Sequence, residues 1–319
     1  MKLTSIIAVA TTAACLSSGA MAQDIAVIAG SIEDAFFNKI KKGVDDATLM
    51  VEANGGTVNY MRVPNYDNFG TDLVTLINQA VAQGVDGIAI PVWVPEAQLP
   101  ALRTAAEQGV TIMMYNSGQQ VNEDVGGINF FGADEYAAGV AGGEYMAQKG
   151  AKHILCHISV PGAVNHETRC KGIVDGAEKQ GAKATVLRLP ANLDGDVTGT
   201  AEALKAELVG DNSIDAIINN GTWASDASVN AVSQIGGQDK IKVGSFDFSP
   251  TSLDRIADGT QTMAIDQQPY LQGFLATSML FANLAFGTEI TTDPVLTGPA
   301  IIDSSNVEAV KAGAALGAR

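Results

Sequence analysis

In four places in this chain a helical run ends in polar residues and a glycine, then passes directly into a β-rich run. Ala82-Gln83-Gly84 precedes Val85-Asp86-Gly87-Ile88-Ala89-Ile90, and Glu107-Gln108-Gly109 precedes Val110-Thr111-Ile112-Met113. Gln148-Lys149-Gly150 precedes Ala151-Lys152-His153-Ile154-Leu155, and Lys179-Gln180-Gly181 precedes Ala182. A glycine just past a helix end accepts the left-handed conformation that closes the helix. The runs before it have helical spacing; Leu73, Leu76, Ile77, Ala80 and Val81 share one face. Strands alternating with such helices predict an α/β protein with parallel sheets built from right-handed βαβ units.

The β-rich runs lie near 24–29, 56–61, 85–91 and 110–116, with a second series near 127–132, 152–158, 183–189, 214–219, 241–246 and 261–266. These are too many for one compact sheet with short loops, and they divide into two. No Pro/Gly/Ser-rich linker separates the halves, so the boundary is expected to be a hinge of short crossings, the first at Asn116-Ser117-Gly118. A composition of 46% hydrophobic residues, 34 glycines and only 6% aromatics suits such a turn-rich α/β fold.

The first residues read as a targeting segment. Lys2 supplies positive charge, Leu3 to Ala14 an apolar stretch, and Ala20-Met21-Ala22 a small-x-small cleavage site, which predicts a secretory signal peptide over 1–22 cut before Gln23 and a periplasmic mature protein. Thr12-Ala13-Ala14 before Cys15 is a poor lipidation box. No later run is apolar for the ~20 residues that span a bilayer; Tyr270 to Phe286, interrupted by Gln272, Ser278 and Asn283, reads as a buried helix. A net charge of −16 opposes nucleic acid and anionic membrane surfaces as partners. Cleavage leaves Cys156 and Cys170, for which a disulfide and two buried thiols both remain open.

Parallel sheets bind ligands beyond the carboxyl ends of their strands, which directs attention to the loops there. Phe36 and Phe37 start a helix and point about 100° apart, so one is free to face a ligand while the other serves the core. Asp34 is either a ligand acceptor or the cap of that helix. Trp93 and Trp223, the only two tryptophans, both fall at strand ends, where an indole suits the CH-rich face of a sugar. With Asn165 as helix cap, Arg169 falls in the first turn. A cation there opposes the helix dipole, which suggests a fork of donors aimed at ligand oxygens. Asn220, Asp247 and Gln267 stand in three further loops that end β-runs and lead into helices. Carboxylate, amide and guanidinium groups together supply the mixed acceptors and donors that a polyhydroxylated ligand requires.

Catalytic signatures are absent from this sequence. It has no Gly-x-Ser-x-Gly elbow, no phosphate loop ending Gly-Lys-Ser/Thr, no His-Glu-x-x-His, and no Gly-x-Gly-x-x-Gly after the first strand. His153 and His157 are four apart, ~13 Å along a strand, too far to share one metal. They read as core or surface histidines, while His166 stands near the cleft mouth. The expectation is a binding protein with no catalytic residue, cofactor or metal.

Taken together, the leader, the Phe36-Phe37 pair, Arg169 with Gly172, Phe246-Asp247, and Asp266-Gln267-Gln268-Pro269-Tyr270-Leu271-Gln272-Gly273 resemble the type I periplasmic binding proteins of sugar transporters, the ribose-binding-protein-like group. The resemblance implies two Rossmann-like lobes with parallel sheets joined by a three-segment hinge, roughly 24–117 with 267–297 and 118–266 with 298–319. It implies an aromatic pair that sandwiches a sugar ring and a ligand set of Phe36, Phe37, Asn116, Arg169, Asn220, Asp247 and Gln267, with Asp34 a weaker match; Trp93 joins this set through its place at a strand end. The implied role is the substrate-binding component of an ABC importer, a monomer that delivers a sugar or polyol to an inner-membrane permease. The alternative is a sensor subunit signalling to a membrane kinase or chemoreceptor. Trp93 replaces an Asp that usually binds ligand hydroxyls, and Leu193 replaces an aromatic of ribose binders. Another pentose or hexose, an inositol or a linear polyol fits this pattern better than ribose.

Overall fold

The computed structural model describes residues 23–319; the targeting segment expected over 1–22 lies outside the described residues. The chain runs β1 (Asp24–Ser31), α1 (Phe36–Ala53), β2 (Thr57–Val63), α2 (Phe69–Ala82), β3 (Gly87–Ile90), α3 (Pro95–Glu107), β4 (Thr111–Asn116) and β5 (Phe130–Ala133). It continues as α4 (Glu135–Gln148), β6 (His153–Ile158), α5 (Val164–Lys179), β7 (Lys183–Arg188), α6 (Val197–Gly210), β8 (Ala216–Asn219), α7 (Thr222–Gln234), β9 (Lys242–Phe246), α8 (Pro250–Asp258) and β10 (Met263–Asp266). Helix α9 (Pro269–Phe286), strands β11 (Val295–Gly298) and β12 (Ala300–Ile302), and helix α10 (Val307–Ala315) complete it.

Two six-stranded sheets result, in the orders β11-β5-β4-β3-β1-β2 and β12-β10-β9-β8-β6-β7. All pairings are parallel except β12 against β10. The two lobes therefore repeat one topology, each the doubly wound sheet that alternating strands and helices dictate. Burial follows from that layering. Along β6, Ile154, Cys156 and Ile158 pack toward α4 and α5, whereas Leu155 packs with Leu204, Leu208 and Ala231 of α6 and α7 on the opposite face.

The first crossing is not at residues 116–118. Strand β5 pairs with β4 in the first sheet, Met114 with Phe130 and Asn116 with Gly132, and Phe130 and Phe131 are buried in the first lobe's core. The chain leaves that lobe after Ala133, and the run near 127–132 belongs to the first series of strands. Only two 3-10 turns, Gln119–Val121 and Glu123–Val125, intervene between β4 and β5. The missing helix between these strands was the available signal. The second crossing follows Asp266, and the third is at Pro299 between β11 and β12, two edge strands that composition did not reveal.

Close helix pairs set the positions of the site helices. Gly139 of α4 and Gly172 of α5 lie where an added Cβ would strike the carbonyl oxygens of Arg169 and Tyr136 respectively, so the two backbones touch. Gly43 of α1 and Gly273 of α9 make the same kind of approach in the first lobe. A disulfide between Cys156 and Cys170, with Cα atoms 5.7 Å apart, fastens α5 to β6. No helix among the described residues is long and apolar enough to cross a membrane.

Candidate functional site: the cleft between the lobes

A cavity opens between the lobes beyond the carboxyl ends of both sheets, where parallel sheets place their ligand sites. All nine side chains singled out from the sequence line it: Asp34, Phe36, Phe37, Trp93 and Asn116 from the first lobe, Arg169, Asn220 and Asp247 from the second, and Gln267 on the second crossing. The lobes are bonded to each other across the cleft. Val164 donates its backbone N–H to the Trp93 carbonyl at 3.0 Å, and Lys39 Nζ donates to the Phe248 carbonyl at 2.7 Å. This is a closed arrangement.

Arg169 is 2% exposed, so it is no surface ion pair. With α5 starting at Val164 it falls in the second helical turn, not the first, and Asn165 does not cap the helix. Its Nε and Nη2 donate to the two carboxylate oxygens of Glu135 at 2.5 and 3.0 Å, Nη2 also donates to Gln267 Oε1 at 2.8 Å, and the guanidinium lies 4.3 Å from the Phe246 ring centre. Burial pushes the Glu135 carboxyl up, while Arg169 opposes the shift. Gln267 hands the network on, its Nε2 donating to Asp247 Oδ2 at 2.8 Å. Two spent groups thus position a third.

What remains unspent is a set of acceptors. Asp247 Oδ1, Asn220 Oδ1 and Asn165 Oδ1 are buried without a hydrogen-bond partner, on side chains that are 5%, 4% and 7% exposed. Asn220 is held by its other end, Nδ2 donating to the His157 carbonyl at 3.0 Å and to Cys170 Sγ at 3.3 Å, so the disulfide lies directly against it. A buried acceptor without a donor costs on the order of 1–3 kcal/mol, which a ligand hydroxyl recovers. Desolvation raises the Asp247 carboxyl to about 7, against the pull of Arg169 and Lys39. Asn116 and Asp247 have left-handed backbones (φ 61° each), as does Gln268 (φ 54°) beside Gln267. Among the described residues these are the three non-glycine positions with such backbones, and strain of this kind gathers where a site needs it.

The first-lobe wall is aromatic and interlocked. Phe36 and Phe37 meet edge to face, ring centres 5.1 Å apart at 86°, and therefore leave no slot between them for a sugar ring, contrary to the sandwich the resemblance implies. Phe37 is 3% exposed and packs edge-on against Trp93, whereas Phe36 is half-buried and is the more available of the two. Trp93 Nε1 donates to Asn116 Oδ1 at 3.1 Å, and Asn116 Nδ2 donates to Gln272 Oε1 at 3.1 Å, so both ends of the Asn116 amide already have partners. The buried Gln98 fixes the Trp93 loop by accepting the backbone N–H of Trp93 and Val94 at 2.9 Å each. Asp34 is not the cap of α1, a position held by Ala35, but stands one residue before it. It accepts the Phe36 N–H at 3.0 Å and the Tyr66 hydroxyl at 2.9 Å while lining the cavity.

Trp223 and His166, placed at a strand end and near the cleft mouth by the sequence, also line the wall. Four further lining residues carry no such signal: Tyr66 and Phe69 from the β2–α2 connection, Ser159 from the end of β6, and Asp194 from the loop after β7. Burial, together with Arg169 and His157, holds His166 well below the usual imidazole range, so it is neutral. His153 and His157 have separate partners, Ser213 and Thr185 for the first and Asn219 for the second.

Two lobes of repeated topology, closed over an acceptor-lined and aromatic-walled cavity at their strand ends, define a cleft-binding protein of the type I kind. Residues 25–289 match the periplasmic binding protein domain model, and the chain belongs to that family. The expected type I periplasmic sugar-binding protein is met at the level of family and fold. A carbohydrate transporter protein from Acidothermus cellulolyticus, solved in complex with myo-inositol, is 32% identical, covering 93% of this chain and 100% of its own with a TM-score of 0.84. The xylose/arabinose-binding protein XylF of Sulfolobus acidocaldarius is 25% identical over 299 residues, 86% of this chain and 69% of that protein. An ABC transporter solute-binding protein from Burkholderia graminis, in complex with D-arabinose, shares the fold at 24% identity and a TM-score of 0.75, covering 89% of this chain and 96% of its own.

Proposed function

We propose that this protein is the substrate-binding component of an ABC importer, which captures a neutral sugar or polyol in the cleft and carries it to a permease in the inner membrane. The observation that carries this reading is the set of three buried, unpartnered acceptors on Asn165, Asn220 and Asp247 beside an aromatic wall. Several hydroxyls on a CH-rich frame meet both needs at once. Glu135, Arg169 and Gln267 orient Asp247, and the His157 carbonyl and the disulfide orient Asn220. Because the wall residues come from both lobes, a ligand touching both favours the closed form over the open one. The family is periplasmic, and the proposed leader, cut before Gln23, supplies the export route. The S. acidocaldarius and B. graminis relatives are binding proteins, and the cleft of this chain binds its ligand without converting it.

A thermal-shift screen with myo-inositol, D-arabinose and D-xylose tests the reading. A ligand that binds only the folded state raises the melting temperature with its saturation. We expect at least one of the three to do so; no shift with any would overturn the proposal.

A further inference from the structure

Two carboxylates line the cleft from opposite lobes. Asp34 stands in the turn between β1 and α1, Asp194 in the loop between β7 and α6, and both line the cavity. Asp34 has a structural duty through Phe36 and Tyr66. Asp194 accepts from the Ser159 and Trp223 side chains, which line the same cavity, and its side chain caps no helix. The cap of α6 is Asp196, which accepts the backbone N–H of Thr198 and Gly199. The turn is closed by its own backbone, Leu193 N–H to the Pro190 carbonyl at 2.9 Å and Asp194 N–H to the Ala191 carbonyl at 3.0 Å. Gly195, with φ of 81°, then reverses the chain into the helix.

Burial raises the Asp34 carboxyl and Arg62 and Lys39 pull it down, but among the described residues neither is ion-paired with it. Among the described residues the ion pairs of the second lobe engage other acids, and the basic groups nearest Asp34 are turned to carbonyls. Lys39 donates to Phe248, while Arg62 donates to Ser31 and to the Asp34 backbone. Arg169 is the one lysine or arginine lining the cavity, and Glu135 neutralises it. Burial and the Asp34 charge raise Asp194 to about 7, against hydrogen bonds from Ser159 and Trp223. Two like charges drawn together by closure oppose it unless a hydrogen-bond donor lies between them. An anionic group would add a third negative charge. The unpartnered Asn165 and Asn220 acceptors on the same cavity independently mark it as a ligand site that calls for donors.

We propose that Asp194, on the opposite lobe of the cleft from Asp34, is a specificity-determining residue that selects a ligand with a hydroxyl donor between the two carboxylates and rejects one with an anionic group there. This rests on the sugar or polyol reading above and extends it to a residue outside the nine. Titration calorimetry of the mature protein with myo-inositol, D-arabinose and D-xylose as neutral probes and D-glucuronate as the anionic probe tests it. Asp194→Asn and Asp194→Ser are the variants, with circular dichroism to show that they fold. Asp34→Asn, which keeps an acceptor for Phe36 and Tyr66, is the counterpart on the other lobe. The best neutral probe should lose about tenfold or more in both Asp194 variants, the cost of a charge-assisted hydrogen bond. The preference for it over D-glucuronate should shrink at least as much in Asp194→Asn and in Asp34→Asn. Wild-type affinities and preference in the folded variants would overturn the inference alone. A wild-type protein that binds none of the neutral probes would overturn both it and the functional reading.

Discussion

The two walls of the cleft are built on opposite principles. On the first-lobe side the polar atoms are spent on one another. Trp93 donates to Asn116, Asn116 to Gln272, and Phe37 is wedged against Trp93. On the second-lobe side Asn165, Asn220 and Asp247 keep buried acceptors open, each held at its base by α5, the disulfide or Gln267. The lobes share a topology, so the contrast comes from the side chains at the strand ends and not from the fold. The first lobe supplies shape and the second supplies directional bonding.

If so, substitutions on the two sides should differ in size and kind. The largest effect is expected at Arg169→Ala. That change leaves Glu135 buried without its partner and should cost on the order of 3–5 kcal/mol of stability in addition to ligand affinity, measured by denaturant unfolding and calorimetry. The buried pair thus makes Arg169 a poor probe of the ligand alone. Next, Asp247→Ala should weaken binding of the best neutral polyol about 100-fold with a smaller change in melting temperature. Phe36→Ala should weaken it about tenfold without altering which hydroxyl stereochemistry is preferred, since it removes a surface and not a bond. Equal losses for the Asp247 and Phe36 variants would dissolve the distinction between the walls.

The smallest effect concerns pH. Asp194 and Asp247 are each raised to about 7. A carboxylate whose folded-state value is raised binds its proton more readily when folded, so the ligand-free closed form loses stability as pH rises from the ordinary carboxylate range through 7. Hydroxyls donated by a ligand act the other way and favour the ionised carboxylate. Binding should then release protons, and affinity should fall a few-fold on going from about pH 8 to about pH 6. Calorimetry in buffers of different ionisation enthalpy measures the proton count directly.

Much of this site was legible because a parallel sheet restricts ligand contacts to strand ends, and the loops at Asp34, Trp93, Asn220, Asp247 and Gln267 could be located from β-runs alone. What escaped was whatever depended on how helices and lobes meet. Asn165 resembles a cap in sequence, yet α5 begins one residue earlier and carries it at the second helical position with its oxygen unpartnered. Glu135 reads as an ordinary first-turn acid until the glycine-lined contact of α4 with α5 sets it against Arg169. Asp194 has no local signature, since its significance lies in Asp34, 160 positions away on the other lobe. The apolar run of β5 marks it as a strand but not which sheet it joins, and its pairing with β4 puts it in the first lobe.

The central claim, that the open acceptors of the second lobe hold the hydroxyls of a neutral ligand, is tested most directly by titrating the wild-type protein and Asp247→Ala side by side with myo-inositol, D-arabinose and D-xylose. The account predicts that at least one of these binds the wild type and that the variant, still folded, binds it about 100-fold more weakly. Equal affinity in the two proteins, or no binding of any of the three to the wild type, would contradict it.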